Sequence, residues 1–230
     1  MNEKQARGDR SNARPVVAAF DFDGTITTRD TFLPFLVKAF GMPKVWLSLA
    51  TLALPGLMVW IGQSTRNHFK ALLIGKLFPG ATVKYLETTG LAHAAHIASL
   101  CRPAALERIK WHKEQGHRLV MVSASLNFYL EPIAEQLGFE ELLCTELVSV
   151  DGICTGEMKG ENCRAAAKIR RLEAILGPLN QYELYAYGDS DGDAEMLEAS
   201  DHPAFMPFHS LWSGGFKIEV QQVADNDVRS

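Results

Sequence analysis

Two aspartate clusters have the residue types and spacing that metal-assisted chemistry needs. The first is Asp21 and Asp23 in the run DFDGT, and the second is the run GDSDGD at residues 188–193. Carboxylates that converge on one site repel one another and need a counter-charge. Oxygen ligands with few nitrogen or sulfur groups favour Mg²⁺, which binds one or two carboxylates together with a substrate phosphate. The clusters therefore predict Mg²⁺ as cofactor and a phosphorylated substrate.

These residue types are sufficient for phosphoryl transfer in two steps. A carboxylate can attack phosphorus and form an aspartyl-phosphate, which divides one difficult displacement into two easier ones. A second carboxylate two residues further on can protonate the leaving oxygen and then activate water. Ser123 and a lysine would bind the phosphoryl oxygens and neutralise the charge that develops on them.

Each polar cluster follows an apolar run that indicates a buried parallel strand, at residues 16–20, 118–122 and 183–187. Helical segments alternate with these runs, which predicts an α/β fold with a doubly wound parallel sheet. The carboxyl ends of such strands line one crevice, where ligands bind. The residues that we expect to converge there are Asp21, Asp23, Ser123, Asp189 and Asp193.

The segment 31–100 differs from the rest, because its periodicity is helical and it contains no convincing strand. We therefore predict an all-helical insertion at residues 31–100, within a core formed by residues 15–30 and 101–230. Residues 1–14 contain no apolar run of the kind that a signal peptide needs. We expect them to be a mobile tail on a cytoplasmic protein.

Within the insertion, Val45–Thr65 is a run without any charged side chain, VWLSLATLALPGLMVWIGQST. Its length reaches the threshold for a membrane span, but Pro55 and Gly56 would break a straight helix. One interpretation is a helical hairpin that is buried in the insertion or in a dimer contact. The other is a surface that dips into lipid, with Trp46 and Trp60 as interfacial anchors.

The overall composition argues against other classes of protein. The 230 residues include 23 Lys and Arg against 27 Asp and Glu, which gives a formal net charge of −4. Broad binding to nucleic acid needs a concentrated basic surface, so we expect no nucleic-acid partner. The four cysteines have no C-x-x-C spacing, which argues against a zinc site or a disulfide scaffold and favours reduced, buried thiols.

Four motifs together resemble those of the haloacid dehalogenase superfamily of phosphatases, in the same order and over residues 16–208. DFDGT is similar to the first motif, and Ser123, after its apolar strand, is similar to the second. Lys168, early in a helix, resembles the third motif, and GDSDGD resembles the fourth. The resemblance implies a Rossmann-like core, with Asp21 as the nucleophile and Asp23 as the general acid and base.

The same resemblance implies the other residues of the site. The implied Mg²⁺ ligands are Asp21, the backbone carbonyl of Asp23, Asp189 and Asp193. The implied phosphate-binding residues are Ser123, Lys168 and Gly24. Lys159 and Arg164 are near enough in the sequence to compete with Lys168 for its role.

A helical insertion between the first two motifs matches the capped subclass that includes phosphoserine phosphatases, so residues 31–100 are called the cap below. Asp30 falls where those enzymes place an acidic substrate-binding residue, and Arg66 could be the matching cation for a substrate carboxylate. The chain departs from these enzymes at Ala124–Leu126, where they have glycines, and at Gly192, where they have asparagine. Both positions bear on substrate contacts rather than on the phosphorus chemistry.

Three alternatives remain open at this point. A similar bacterial branch includes phosphatidylglycerophosphate phosphatases, whose caps meet the membrane, and residues 45–61 could serve that purpose. A catalytically silent binding protein could keep the same fold. A phosphonatase would use a cap lysine to form a Schiff base, and the candidates are Lys38, Lys44, Lys70, Lys76 and Lys84.

Overall fold

The computed structural model describes residues 14–53 and 66–208. The predicted tail lies outside the described residues except for Arg14, and so does the part of the uncharged run that contains Pro55, Gly56 and Trp60. Residues 209–230 of the predicted core also lie outside them.

The centre of the protein is a five-stranded parallel sheet with the strand order β3-β2-β1-β6-β7. The strands in chain order are β1 (Val16–Phe20), β2 (Arg118–Leu126), β3 (Glu141–Thr145), β4 (Leu147–Val150), β5 (Ile153–Met158), β6 (Glu183–Gly188) and β7 (His202–Phe205). β1 is hydrogen-bonded to β2 on one side and to β6 on the other. A strand that is covered on both faces is uniformly apolar, and this is the pattern of VVAAF in β1. The doubly wound parallel sheet that the sequence predicts is confirmed.

Helices cover both faces of the sheet. Those of the core are α5 (Pro103–Glu114), α6 (Asn127–Leu137), α7 (Ala166–Leu176) and α8 (Ala194–Glu198). Alternate residues of a strand point to opposite faces. Ala18 and Phe20 accordingly pack in one hydrophobic cluster with α5 and α6, whereas Val17 and Ala19 pack in a second cluster with α7 and α8. This alternation fixes β1 between the two layers and holds its carboxyl end in place.

The described part of the cap is helical. Its helices are α1 (Phe32–Phe40), α2 (Met42–Thr51), α3 (Arg66–Leu77) and α4 (Val83–Ile97). Phe35, Ile74 and Leu86 are fully buried and belong to the same hydrophobic cluster as Phe20 of the sheet. α4 packs very closely against the first turn of α6, because a Cβ at Gly90 would lie 2.0 Å from the carbonyl oxygen of Phe128. That the cap is a separate domain remains a prediction.

β4 and β5 form an antiparallel hairpin that turns at Asp151 and Gly152. Both turn residues have positive φ angles, of 50° and 74°, which is the backbone conformation that two-residue hairpin turns need. β5 packs against α3, so the hairpin supports the cap helix nearest to the crevice.

Among the described residues, no single helix is long and apolar enough to cross a membrane. Taken together, α1 and α2, which are bent by 118° relative to each other, have the length and apolar composition of a membrane span, and nothing else in the part of the chain that the structure describes indicates one. Several large apolar side chains on these two helices are exposed, and they are Leu33, Met42, Trp46 and Leu47.

Candidate active site

The first aspartate cluster begins where β1 ends. Asp21 has an extended backbone, and the five residues Phe22–Ile26 form a tight turn, with non-helical backbone angles at Asp23 and Gly24, that ends the strand direction. Gly24 within this turn has a φ of +83°, a conformation that favours glycine. A Cβ at Gly24 would lie 2.0 Å from Asp189 Oδ2, so the missing side chain also lets the second cluster approach the first.

Lys168 joins the two clusters. Its Nζ lies 2.6 Å from Asp21 Oδ1 and 2.5 Å from Asp193 Oδ1, and only 2% of its side chain is exposed. Burial disfavours the charged form, but the negative charges of Asp21 and Asp193 outweigh burial and hold the pKa of Lys168 above its ordinary value. Lys168 is therefore a cation at the centre of the site.

Burial raises the pKa of Asp21 to about 7, although the positive charge of Lys168 opposes the shift. Its second oxygen, Oδ2, accepts a hydrogen bond of 3.1 Å from Thr25 Oγ1. Asp193 behaves in the opposite way: burial opposes ionisation, but Lys168 and hydrogen bonds from Ser190 hold its pKa below the ordinary value. One carboxylate of the pair thus stays ionised, while the other titrates near neutral pH.

Asp193 also orders the loop that carries the second cluster. Its Oδ2 accepts hydrogen bonds from the backbone N–H groups of Asp189 and Ser190, at 3.2 Å and 3.0 Å, and from Ser190 Oγ at 2.9 Å. A carboxylate with this many donors is fixed in orientation. Asp193 therefore determines where Asp189 lies.

Asp21, Asp189 and Asp193 offer a set of oxygens that suits a divalent cation. One oxygen from each lies within 4.8 Å of the others. The donor set contains carboxylates alone, which is the chemistry that Mg²⁺ prefers. Clustered carboxylates of this kind repel one another, and the one lysine balances only part of their charge. The residues present therefore fit the cation that the sequence predicts.

The carboxylate of Asp23 is held separately from this cluster. Its Oδ1 accepts hydrogen bonds from Thr31 N at 2.7 Å and from Thr31 Oγ1 at 2.6 Å, and its Oδ2 accepts one from Ser125 Oγ. Burial and the negative charge of Asp30 raise the pKa of Asp23 to about 6, with the hydrogen bonds opposing them. Near neutral pH this group can both donate and accept a proton.

The site opens into a cavity of about 660 Å³ between the crevice and the cap. Ser123, which is buried, lies in its wall and accepts a hydrogen bond of 3.1 Å from Ser125 N. The cap contributes the apolar part of the lining: Phe32, Leu33, Leu49, Phe69 and Leu73. The polar residues that the sequence predicts to converge thus line one space, together with Gly24 and Lys168: Asp21, Asp23, Ser123, Asp189 and Asp193.

The structure distinguishes between the basic residues that the sequence left open. Lys159 is largely exposed and lies 3.0 Å from Glu146, and Arg164 lies 2.6 Å from Asp191. Lys168, by contrast, contacts Asp21 directly. The sequence could not separate them because all three lie within ten residues of one another.

Asp30 and Arg66 both line the cavity, but they do not form an ion pair with each other. Asp30 Oδ2 accepts a hydrogen bond of 3.1 Å from Leu33 N at the start of α1. Arg66 is largely exposed, and its nearest carboxylate is Asp191 at 3.8 Å. The two side chains therefore stand at the cavity wall with separate contacts.

Lys70 lines the cavity, and the sequence names it only as one of five cap lysines, without separating it from the other four. Its Nζ donates hydrogen bonds to the carbonyl oxygen of Ala124 and, at 2.9 Å, to Asn162 Oδ1. Burial lowers the pKa of Lys70 to about 8, against the charges of Asp23 and other acidic groups. Helical spacing was the available signal, because positions 66, 69, 70 and 73 share one face of α3 and all line the cavity.

The model of the haloacid dehalogenase-like hydrolase family matches residues 18–198. The chain belongs to this family. Protein CicA of Caulobacter vibrioides is 38% identical over 196 residues, which cover 84% of this chain and 87% of CicA. A phosphoserine phosphatase of Methanocaldococcus jannaschii is 31% identical over 96 residues, or 41% of this chain and 46% of that enzyme.

The fold comparison agrees with the sequence comparison. A crystal structure of a protein of unknown function from Bordetella pertussis superposes with a TM-score of 0.68 at 22% identity, and covers 81% of this chain and 87% of its own. The family resemblance that the four motifs indicate is therefore confirmed, and so is the α/β fold class.

Proposed function

We propose that the protein is a Mg²⁺-dependent phosphatase that hydrolyses a phosphomonoester through an aspartyl-phosphate on Asp21. The observation that carries the proposal is the buried Asp21–Lys168–Asp193 arrangement, which opens with Asp189 and Ser123 into one cavity. Membership of a hydrolase family and the similarity to a phosphoserine phosphatase support the phosphatase class. A catalytically silent protein would have little reason to keep Asp21, Asp23, Lys168, Asp189 and Asp193 together in one cavity.

In the first step, a carboxylate oxygen of Asp21 attacks phosphorus, and the bond from phosphorus to the leaving oxygen breaks. Asp23 donates its proton to that oxygen, so that the leaving group departs as a neutral alcohol. Lys168 and Ser123 bind the phosphoryl oxygens as negative charge shifts onto them. Thr25 and Lys168 hold the nucleophile in orientation through their hydrogen bonds to Asp21.

In the second step, Asp23 takes a proton from water, and the oxygen of that water attacks the phosphorus of the aspartyl-phosphate. The bond between phosphorus and the Asp21 oxygen breaks, which releases inorganic phosphate and restores the carboxylate. The same residue thus acts first as acid and then as base, as its pKa near 6 allows.

Asp21, Asp189 and Asp193, together with the backbone carbonyl of Asp23, are the residues that would bind Mg²⁺. When bound, the cation neutralises the charges of the carboxylates and of the phosphoryl group. Its positive charge also favours the ionised form of Asp21, which the protein alone holds at a pKa of about 7.

The residues of the cap, and Asp30 just before it, would bind the leaving group where they face the cavity. Asp30, Arg66 and Lys70 provide charged groups at its wall, and the phosphoserine phosphatase similarity supports a small charged leaving group. Gly24 would admit the phosphate close to the backbone. Of the five cap lysines that the sequence offers for a Schiff base, Lys70 is the one that lines the cavity in the described part of the chain.

A phospholipid is the second candidate substrate, and the location of apolar side chains favours it. The apolar part of the cavity wall comes from the cap, and Trp46 and Leu47 on α2 are 63% and 67% exposed. A lipid phosphate would place its acyl chains along such a wall while α2 rests on the membrane. In this case the protein would be cytoplasmic and peripheral to the membrane.

The test is phosphate release with Mg²⁺ from phosphoserine, other small phosphomonoesters and phosphatidylglycerophosphate in detergent. Asp21→Asn should abolish release because it removes the nucleophile at almost constant volume, whereas the matched control Asp151→Asn, on the exposed hairpin turn, should not. Turnover of the lipid alone would select the second candidate. Release that survives Asp21→Asn would refute the proposed chemistry.

A further inference from the structure

The general acid and base of the proposed reaction, Asp23, is held by hydrogen bonds at both of its oxygens. Oδ1 accepts two hydrogen bonds from Thr31, one from the backbone and one from the side chain. Oδ2 accepts a hydrogen bond from Ser125 Oγ, which comes from the opposite side, on β2 of the core. The carboxylate is thus held by hydrogen bonds from Thr31, the first residue of the cap, and from Ser125 of the sheet.

Ser125 is placed for this contact by its strand. It follows the cavity residue Ser123 by two positions, in the part of β2 where the strand register shifts, and both residues line the cavity. The backbone N–H of Ser125 donates to Ser123 Oγ at 3.1 Å, and only 3% of Ser125 is exposed. The buried hydroxyl of Ser125 hydrogen-bonds to Asp23 and also to the hydroxyl of Tyr129, so both of these side chains hold it in place.

We propose that Ser125 is a positioning residue that aims the proton-carrying oxygen of Asp23 at the leaving group of the substrate. The inference rests on the proposed function, because it concerns the protonation of the leaving oxygen in the first step. Thr31 occupies Oδ1 with two donors, which leaves Oδ2 as the oxygen that carries the proton. The Ser125 hydroxyl donates to Oδ2 and fixes the rotation of the carboxylate.

The rotation matters because a general acid acts only within hydrogen-bond reach of the atom that it protonates. Without Ser125, the planar carboxylate keeps only the two hydrogen bonds from Thr31, both at Oδ1, and its orientation toward the cavity is held less tightly. The chain thus holds its acid with a serine at the position where phosphoserine phosphatases were expected to carry a glycine.

This role predicts a dependence on the leaving group that a purely structural role would not produce. An alkyl phosphate needs a proton on its leaving oxygen, whereas p-nitrophenyl phosphate releases a stable phenolate without one. The ratio kcat/KM reports the steps up to the phosphorylated enzyme and excludes its later hydrolysis. Ser125→Ala should therefore lower kcat/KM for an alkyl phosphate by about 10- to 100-fold, within the range that general acid catalysis supplies, and for p-nitrophenyl phosphate by less than about 3-fold.

The experiment measures kcat/KM for both esters with wild type, Ser125→Ala, Asp23→Asn as the reference for a lost acid, and Ser99→Ala as a matched control. Ser99 is exposed and donates to the carbonyl oxygen of His96, outside the cavity. Ser125→Thr, which keeps the hydroxyl, should recover most of the alkyl phosphate activity. Ser125→Cys serves as the second variant if Ser125→Ala does not fold.

Equal losses on the two esters, or no loss on either, would overturn the role of Ser125. A failure of the proposed function would look different, because the wild type would then hydrolyse neither ester. If Asp23→Asn shows the leaving-group dependence and the Ser125 variants do not, the reaction stands and only the inference about Ser125 fails.

Discussion

Replacing Lys168 with methionine should destabilise the protein in a manner that depends strongly on pH. The side chain is 2% exposed and contacts two carboxylates that are themselves buried. Methionine keeps the approximate length of the side chain and removes only the charge. Removing one partner of a buried ion pair costs about 3–5 kcal/mol because the other charge is left uncompensated. Two carboxylates lose their partner here, so we expect about 4–5 kcal/mol at pH 8 without Mg²⁺.

The sign of the pH dependence follows from the carboxylates. In the wild type, Lys168 holds the pKa of Asp193 below its ordinary value, and this contribution to stability is present above about pH 4. In the variant, burial without the lysine raises the pKa of Asp193, so its native state keeps a proton that the unfolded chain releases. Stability of the variant then falls, relative to wild type, as the pH rises from about 4. At pH 5 the deficit should therefore be smaller than at pH 8 by about 1 kcal/mol or more, since one pKa unit corresponds to about 1.4 kcal/mol.

The assay is urea unfolding of Lys168→Met and wild type at pH 5 and pH 8 in a chelating buffer. The exposed Lys110, which pairs with Glu114 at 3.7 Å, provides the matched control, and Lys110→Met should leave the midpoint almost unchanged. A deficit below about 1 kcal/mol at pH 8 would refute the reasoning, because breaking a buried pair costs more than that. A deficit that is larger at pH 5 than at pH 8 would also refute it.

Two further predictions concern the carboxylate cluster and the packing of the cap on the core. Asp189→Ala should weaken Mg²⁺ binding by about 10-fold or more, measured by calorimetry, because it removes one of three clustered carboxylates; an unchanged affinity would move the ligand role elsewhere. Gly90→Ala should destabilise the protein by about 1–3 kcal/mol, the usual cost of overpacking, because its Cβ would lie 2.0 Å from Phe128 O. A thermal melt within 1 °C of wild type would contradict the close packing of α4 on α6.

The sequence predicts the crevice well because its signals are local. An apolar run followed at once by acidic residues places Asp21 and Asp23 at a strand end, and the same holds for Asp189. Ser123 differs, because β2 continues past its predicted end to Leu126 and Ser123 lies within the strand. Parallel pairing then brings these ends together without further information. The short edge strand β3 was not predicted, because ELLCT at residues 141–145 has no alternation of apolar and polar side chains.

The contacts that complete the site depend on long-range packing and could not be predicted. Thr31 and Ser125 meet Asp23 from positions 8 and 102 residues away, and no local pattern marks either residue. Lys70 donates its hydrogen bonds within the crevice because α3 lies across it, whereas Arg66, on the same face one turn earlier, lines the cavity but is largely exposed. Which of two basic residues on one helix face is held inside the crevice is decided by the packing of the cap, and the sequence does not show that packing.

The formation of an aspartyl-phosphate on Asp21 can be tested directly. The enzyme, quenched in acid during turnover with Mg²⁺ and a phosphomonoester that it hydrolyses, would be digested and mapped by mass spectrometry. The proposed reaction predicts a phosphoryl group on the peptide that contains Asp21, released by hydroxylamine and absent from Asp21→Asn. A phosphoryl group on another residue, or turnover that continues in Asp21→Asn, would contradict it.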